Sequence, residues 1–325
     1  MLDSEVPVIG VTDQDIQQTV NLSDNSIYIC GGYNGTNIRL NCYKYNQHTS
    51  VWQTIQSMST ERNYYGLVSY DSKLYAMGGY NIHGRLNSVE AYDMQTNTWK
   101  SVASMIIIRE QFDATVMNNS IYACGGLNVN VSKFCEYYSP INDQWYEMVS
   151  MNTERRGLAL VAHEGLLYAI GGYNDRDYYL NSVERYDTYS NKWTQIKPML
   201  RKRYMFGSAS FMGNIYVCGG EDINVTTYES CETYDPKTNQ WTTIASMITG
   251  RRFFKLIVFN DILYALGGGT VTNFTETVEV YDYNSNIWYY TQSMPDKFYG
   301  YGSYGVIVWV NCLPEEWTPY PNVSN

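Results

Sequence analysis

Two adjacent glycines recur six times along this chain, at 31–32, 78–79, 125–126, 171–172, 219–220 and 267–268, with spacings of 47, 47, 46, 48 and 48 residues. Glycine gives up more backbone freedom on folding than any other residue, so a pair closing an apolar run marks a tight bend or a close backbone approach. Other residues keep the same beat. A tyrosine stands three places before each pair (Tyr28, Tyr75, Tyr122, Tyr168, Tyr216, Tyr264), and a tryptophan follows each (Trp52, Trp99, Trp145, Trp193, Trp241, Trp288). Methionines are phased with them at Met58, Met105, Met151, Met199, Met247 and Met294. Four residues past the first five methionines comes an arginine, at Arg62, Arg109, Arg155, Arg203 and Arg251; the sixth slot holds Phe298, with Lys297 before it. Residue types held in one register over most of a chain define a repeat protein.

Within one period, residues 62–103 read as YYGLVSY, a turn at Asp71-Ser72-Lys73, LYAMGG, a polar loop YNIHGRLN, SVEAYD, a turn MQTN and TWKSVAS. These are four short runs rich in aromatic and β-branched residues, bounded by Asn, Asp, Gly or Ser, which is the pattern of strands and turns. No stretch sustains helical periodicity. A period of 46–48 residues with four strands fits a propeller blade; paired-helix repeats fail on strand composition and leucine-rich repeats on period.

On these markers the chain resembles the Kelch-repeat β-propellers, whose pattern is a double glycine, then Glu-x-Tyr-Asp, then Trp. The middle element reads SVEAYD (88–93), FCEYYS (134–139), SVERYD (182–187), SCETYD (230–235) and TVEVYD (277–282). The first repeat departs from it, reading NCYKYN at 41–46 with Tyr43 in the Glu position. The resemblance covers residues 20–310 and implies an all-β fold, a six-bladed β-propeller of four-stranded antiparallel blades. The expected organisation is a lead segment over 1–26, the propeller over 27–310 and a tail over 311–325. Blade 1 is expected to be closed by the C-terminal strand 298–310, which follows Met294 in the register of a first strand; the competing closure is TVNLSDNSIYIC at 19–30.

Charge and cysteine usage bound the function. The chain has 325 residues, net charge −10 and a pI of 4.8, which argues against nucleic acid as the main partner. It has no apolar run long enough to span a membrane and no basic-then-apolar leader, so a cytoplasmic location is expected. Six of the seven cysteines occupy two slots, before the Gly pair (Cys30, Cys124, Cys218) and before the Glu position (Cys42, Cys135, Cys231). In blades 2, 4 and 6 both slots are apolar: Met77 with Val89, Ile170 with Val183, Leu266 with Val278. That matched alternation places the slots in contact across adjacent strands. The expected state is buried free thiols. The alternative is three cross-strand disulfides in a secreted protein, toward which seven Asn-x-Ser/Thr sequons (Asn21, Asn34, Asn118, Asn130, Asn224, Asn273, Asn322) also lean.

Catalysis has little support in the sequence. His48, His83 and His163 map to three different kinds of loop, so no metal or other cofactor is expected, and the phased Glu reads as a structural group bonding loop amides or the repeat's own arginine. No enzyme is expected. Binding is the better reading, at the end of the channel where loops leave the second strand and enter the first. Residues after the Gly pairs are Tyr33, Tyr80, Leu127, Tyr173, Glu221 and Gly269. Residues entering the first strand include Arg62, Asn63, Tyr64, Arg109, Gln111, Arg155, Arg156, Arg203, Tyr204, Arg251 and Arg252. Tyrosine and arginine are enriched at interaction hot spots, and a ring of them in an acidic protein makes a local basic patch suited to an acidic peptide. The five phased arginines have a structural reading as well, because a residue present in nearly every blade serves the fold; Arg156, Arg252 and the tyrosines carry more functional weight.

The period, the turns at Tyr92–Trp99 and YDPKTNQW (234–241), and the Met-x-x-x-Arg element are most similar to the Kelch-like adaptors of cullin-type ubiquitin ligases. There the propeller selects the substrate while BTB and BACK domains recruit the ligase. Only about 20 residues precede the first blade, so cullin recruitment is not expected of this chain alone. The resemblance thus implies a protein-binding propeller. Its rivals are an actin-binding or scaffold propeller and a sugar-processing enzyme or lectin.

Overall fold

Each apolar run of the repeat becomes a strand of about five residues because β-branched and aromatic side chains alternate between the two faces of a pleated sheet. The computed structural model describes residues 26–33, 37–46, 49–270 and 274–294, together with the backbone of 306–309. Residues 1–25 and 310–325, with His48, Lys297, Phe298 and the sequons at Asn21, Asn34, Asn273 and Asn322, lie outside them. Blade 2 sets the pattern, with strands Gly66–Tyr70, Lys73–Met77, Val89–Asp93 and Thr98–Val102 hydrogen-bonded in that order, all antiparallel. Blades 3 to 6 repeat it from Asp113, Ala159, Gly207 and Lys255 onward. The blade holding the N-terminal strand Ser26–Cys30 takes Val306–Trp309 as its innermost strand, paired antiparallel from Ser26↔Trp309 to Ile29↔Val306. That strand neighbours Gly66–Tyr70 on one side and Lys255–Phe259 on the other, so six four-stranded blades close into a ring.

Two local features differ from the sequence reading. Lys73 was expected in the first turn, yet Asp71 (φ 48°) and Ser72 (φ 56°) alone make it, and Lys73 opens the second strand. Two consecutive positive-φ residues form a type I′ turn, whose twist matches the strands it joins. The polar loop after the Gly pair of blade 2 is a small hairpin, Tyr80–Asn81 against Gly84–Arg85; blade 4 has its counterpart, Tyr173–Asn174 against Tyr178–Tyr179.

The core lies between blades. Six buried clusters each join two neighbours, such as Tyr75, Met77 and Val89 of blade 2 with Phe112, Ile121 and Trp145 of blade 3. The phased aromatics do this packing. Tyr28, Tyr75, Tyr168 and Tyr216 each lie 5.8–6.4 Å from a tyrosine of the following blade. The indoles of Trp99, Trp145, Trp193, Trp241 and Trp288 each donate Nε1–H to a carbonyl of the preceding blade at 2.8–3.0 Å.

The Gly pairs have a direct steric cause. The first glycines of blades 2 to 5 have φ between 54° and 74°. A Cβ on Gly78, Gly125, Gly171 or Gly219 would stand 2.3–2.9 Å from the carbonyl oxygen of a phased arginine. Three of these glycines also lie against a phased methionine.

The cysteine expectation is corrected. Cys30–Cys42, Cys124–Cys135 and Cys218–Cys231 are disulfide-bonded. The register sets each pair directly opposite on adjacent strands, with Cα atoms 4.1–4.2 Å apart, which holds the sulfurs within bonding reach. Met77↔Val89, Ile170↔Val183 and Leu266↔Val278 occupy the same opposed slots in blades 2, 4 and 6. Two outcomes follow. Alkylation of the unreduced protein unfolded in denaturant leaves these six cysteines unlabelled in peptide mapping, where buried free thiols would label. Cys124→Ser with Cys135→Ser lowers stability by about 3 kcal/mol in thermal melting, whereas Cys124→Ile with Cys135→Val, the pair blade 4 uses, loses less.

Candidate functional site

The loops leaving the second strands and those entering the first strands gather at one end of the channel. The residue after the Gly pair meets the residue after the phased arginine as an isolated antiparallel bridge: Asn63↔Tyr80, Glu110↔Leu127, Arg156↔Tyr173, Tyr204↔Glu221 and Arg252↔Gly269. The next residues inward, Tyr64, Gln111, Gly157, Met205 and Phe253, all have φ of 54–56°. They are joined head to tail by N–H···O=C bonds of 2.7–3.1 Å from Gln111 to Tyr64, Gly157 to Gln111, Met205 to Gly157 and Phe253 to Met205. Left-handed backbone at non-glycine residues costs energy, and the bonds between blades hold it in place.

Side chains from this necklace plug the channel mouth. Met205 and Phe253 are buried together, with Tyr64 and Tyr204 packed against them. Tyr64 meets Phe253 edge-on at 6.4 Å, and the Tyr204 hydroxyl donates to Gln111 Oε1 at 2.8 Å. Burial raises the Tyr204 phenol above its ordinary pKa, so it stays a neutral donor. Behind the plug, Lys255 of blade 6 reaches across to Asp113 of blade 3, Nζ–Oδ1 3.2 Å, while Asp113 Oδ2 accepts the Leu160 amide at 2.9 Å. Gly66, Ala159 and Gly207 stand at the same strand position in other blades and leave room for that pair. The channel beyond encloses about 320 Å³, lined in part by Ser69, Thr115, Ser208 and Ser210.

The five phased arginines offer a partner no surface. Arg62, Arg109, Arg155, Arg203 and Arg251 are 0% exposed. Each donates from Nη2 to the phased Glu of its blade: Glu90, Glu136, Glu184, Glu232 and Glu279, at 2.7–3.1 Å. From Nη1 each donates to the first glycine's carbonyl and to a carbonyl entering the third strand, as Arg155 does to Gly171 and Ser182 at 2.8 and 2.9 Å. The carboxylates also accept loop amides; Glu184 takes those of Asn152 and Thr153. Burial lowers the guanidinium pKa values and the paired carboxylate opposes it. These residues are part of the fold.

The remaining candidates divide. Arg252 is buried in an ion pair with Glu221, and burial raises the Glu221 carboxyl while Arg252 opposes the shift. Asn63 is buried, its Oδ1 accepting the Tyr64 amide. Tyr33 is half-buried and bridges Ile38. Tyr80 is 41% exposed. The half-buried Arg156 stacks its guanidinium 4.6 Å from the Tyr173 ring and has no carboxylate partner among the described residues. Tyr173, Tyr179 and Tyr204 form one cluster with centroids 5.6–6.0 Å apart.

The patch is therefore less basic than its arginine count. Glu110, which the sequence reading passed over, is buried and takes Arg85 Nε at 2.7 Å. It shares the repeat phase of Asn63, Arg156, Tyr204 and Arg252, and that phase was the signal that could have found it. Arg201, Lys202, Tyr178 and Tyr179 flank this end as well; they lie off the repeat phase and carried no signal.

Sequence and structure comparisons agree with this architecture. A family described as the Attractin/LZTR1 β-propeller matches residues 74–310, and the Kelch motif matches residues 17–59. No curated protein matches at the sequence level. Among solved structures, that of YjhT superposes with a TM-score of 0.70 at 16% identity, covering 82% of this chain and 97% of that one. At that identity the likeness shows the fold alone.

The buried pairs can be tested by coupling. Arg155→Met alone strands Glu184 and costs about 3–5 kcal/mol. Adding Glu184→Gln costs less than the sum of the two single changes, because it removes the charge the first change left unpaired. Denaturation of the single and double variants measures the difference; strict additivity would place the arginine and glutamate in independent roles.

Proposed function

The chain belongs to the Attractin/LZTR1 β-propeller family, and from that premise we propose that it is a non-catalytic protein-interaction module whose partner docks on the plugged, tyrosine-rich end. The observation that carries this reading is the plug itself. With Met205, Phe253, Tyr64 and Tyr204 across the mouth, a ligand approaching from this end meets a surface. That surface presents Tyr80, Tyr173 and Arg156, two residue types that dominate interface energetics. The partner's complementary feature is an acidic segment, since Arg156 is left without a carboxylate among the described residues. Similarity of the turns and the Met-x-x-x-Arg element to Kelch-like adaptors favours a substrate-selecting role within this reading.

Location belongs to the same proposal. Three cystines support folding in an oxidising compartment over the cytoplasm, where such bridges are reduced. The exposed sequon residues Asn118, Asn130 and Asn224 fit that location.

Affinity purification with two sets of substitutions tests the docking face. Tyr80→Ala, Arg156→Ala and Tyr173→Ala together are expected to lose the partners that the unaltered protein retains, each anchor contributing about 1–2 kcal/mol. Ile141→Ser with Tyr189→Ala, in third-to-fourth strand turns at the opposite end and 86% and 98% exposed, is expected to retain them. The reverse pattern places the interaction on the other face.

A further inference from the structure

We propose that the principal anchor on this face is a cleft between blades 4 and 5, and that it takes an extended acidic peptide carrying a carboxylate beside an aliphatic or aromatic side chain. The inference rests on the docking-face reading above and gives it a location away from the channel axis. The cleft holds about 320 Å³, enough for one or two side chains, between the blade 4 hairpin and the blade 5 loop at 221–228. One wall is Tyr178, 53% exposed at the hairpin tip, and the other is Ile223, 65% exposed. Apolar groups this open, facing each other across a cleft, invite a side chain between them.

Cations edge the cleft. Arg201 and Lys202 are both exposed, and neither has a carboxylate partner among the described residues. Arg201 is also held in place. The Tyr228 ring carries two guanidiniums, buried Arg203 and exposed Arg201, each 5.4 Å from its centroid. A guanidinium fixed on an aromatic face loses less conformational freedom when it takes a carboxylate.

The cleft's two acids are not equivalent. Asp222 is committed to its own loop: Oδ1 accepts the amides of Asn224 and Thr226 at 2.9 and 3.3 Å, and Oδ2 accepts the Tyr228 hydroxyl at 2.8 Å. These bonds hold its carboxyl below the ordinary range against the opposing effect of burial, and they fix the loop that carries Ile223. Asp177 is exposed on the hairpin beside Tyr178. Counted over its lining, Arg201 and Lys202 match the two acids, so the cleft carries no net charge in a chain of net charge −10, and both of its cations stand exposed. The attraction acts at contact range, inside the screening length, where the chain's distant acids count little.

Selection from a random twelve-residue peptide library displayed on phage tests the proposal. The unaltered protein is expected to enrich peptides with Asp or Glu next to Leu, Ile, Phe, Tyr or Trp. Synthetic copies should bind Arg201→Glu with Lys202→Glu about tenfold more weakly or worse, with the melting temperature unchanged because both positions are exposed. Ile223→Ser should weaken the same peptides without altering their dependence on salt. Enrichment of neutral or basic peptides, or no enrichment, overturns the cleft. So do acidic peptides that ignore the charge reversal but are lost on Tyr80→Ala, Arg156→Ala and Tyr173→Ala, although that result leaves the docking face intact. Peptides insensitive to both sets overturn the face as well.

Discussion

The ring depends on a buried arginine used as a bolt between neighbouring blades. Arg155 shows the geometry. Its backbone carbonyl accepts the amide of Gly126 in blade 3 at 2.7 Å, while its side chain reaches Gly171, Ser182 and Glu184 in blade 4. The other four phased arginines do the same one step round the ring. A charge buried this deeply is costly unless it is paired and its donors are satisfied, and a lone arginine here would unfold the seam. The carboxylate neutralises it and two carbonyls take Nη1, while Nε of Arg62, Arg109 and Arg155 is left without a protein partner; in blades 2 to 5 the first glycine of the pair exists because a Cβ would occupy the space that an arginine's carbonyl needs. One interaction thus explains three of the phased markers.

The seam that closes the ring is built differently. Blade 1 has Tyr43 where the others have the phased Glu, and the sequence puts Phe298 in the matching arginine slot. Both members of the ion pair are absent together, so no charge is stranded. The outer clamp differs too. Elsewhere an Asn or Asp two places before the phased tryptophan accepts the hydroxyl of Tyr92, Tyr138, Tyr186, Tyr234 or Tyr281; in blade 1 that position is Ser50, whose carbonyl instead takes Gln292 Nε2 at 2.8 Å. A groove of about 310 Å³ lies along this seam beside Trp52 and Tyr264. The blade assembled from both chain ends is where the repeat's own fastening gives way.

What could be read from the sequence follows from which contacts repeat. Strand number, the opposed cysteine slots and the packing of tyrosine and tryptophan between blades all recur each period, so spacing alone exposed them. The role of the phased arginines was less visible, because a period fixes where a residue falls along the chain but not whether its side chain turns inward. Their partner was in view all along, since a Glu at constant offset from an Arg in five blades is what a repeated buried pair requires. The oxidation state of the cysteines turns on a register that brings Cα atoms to 4.1–4.2 Å, a distance no spacing states. Lys255 and Asp113 were out of reach altogether. They meet across the channel from opposite blades, 142 residues apart, and have no counterparts at their position in the neighbouring blades.

That distinction also bears on the proposed docking face. Residues whose type repeats, the phased arginines and glutamates, are bound to their neighbours and cannot vary without disturbing a seam, and Arg252 with Glu221 and Arg85 with Glu110 are tied up near the mouth as well. Residues off the period answer to no such constraint. Tyr178 and Ile223 lie on second-to-third strand connections that differ in length and sequence from blade to blade, Arg201 and Lys202 on a fourth-to-first connection of constant length but changing sequence, and all four remain exposed after the fold has satisfied itself. A rigid ring fixes these connections while leaving their side chains open, which lowers the ordering cost of binding without sealing the surface. The plug makes the channel mouth part of the scaffold, and under the proposed docking the clefts between blades are the part of that face where the repeat imposes least.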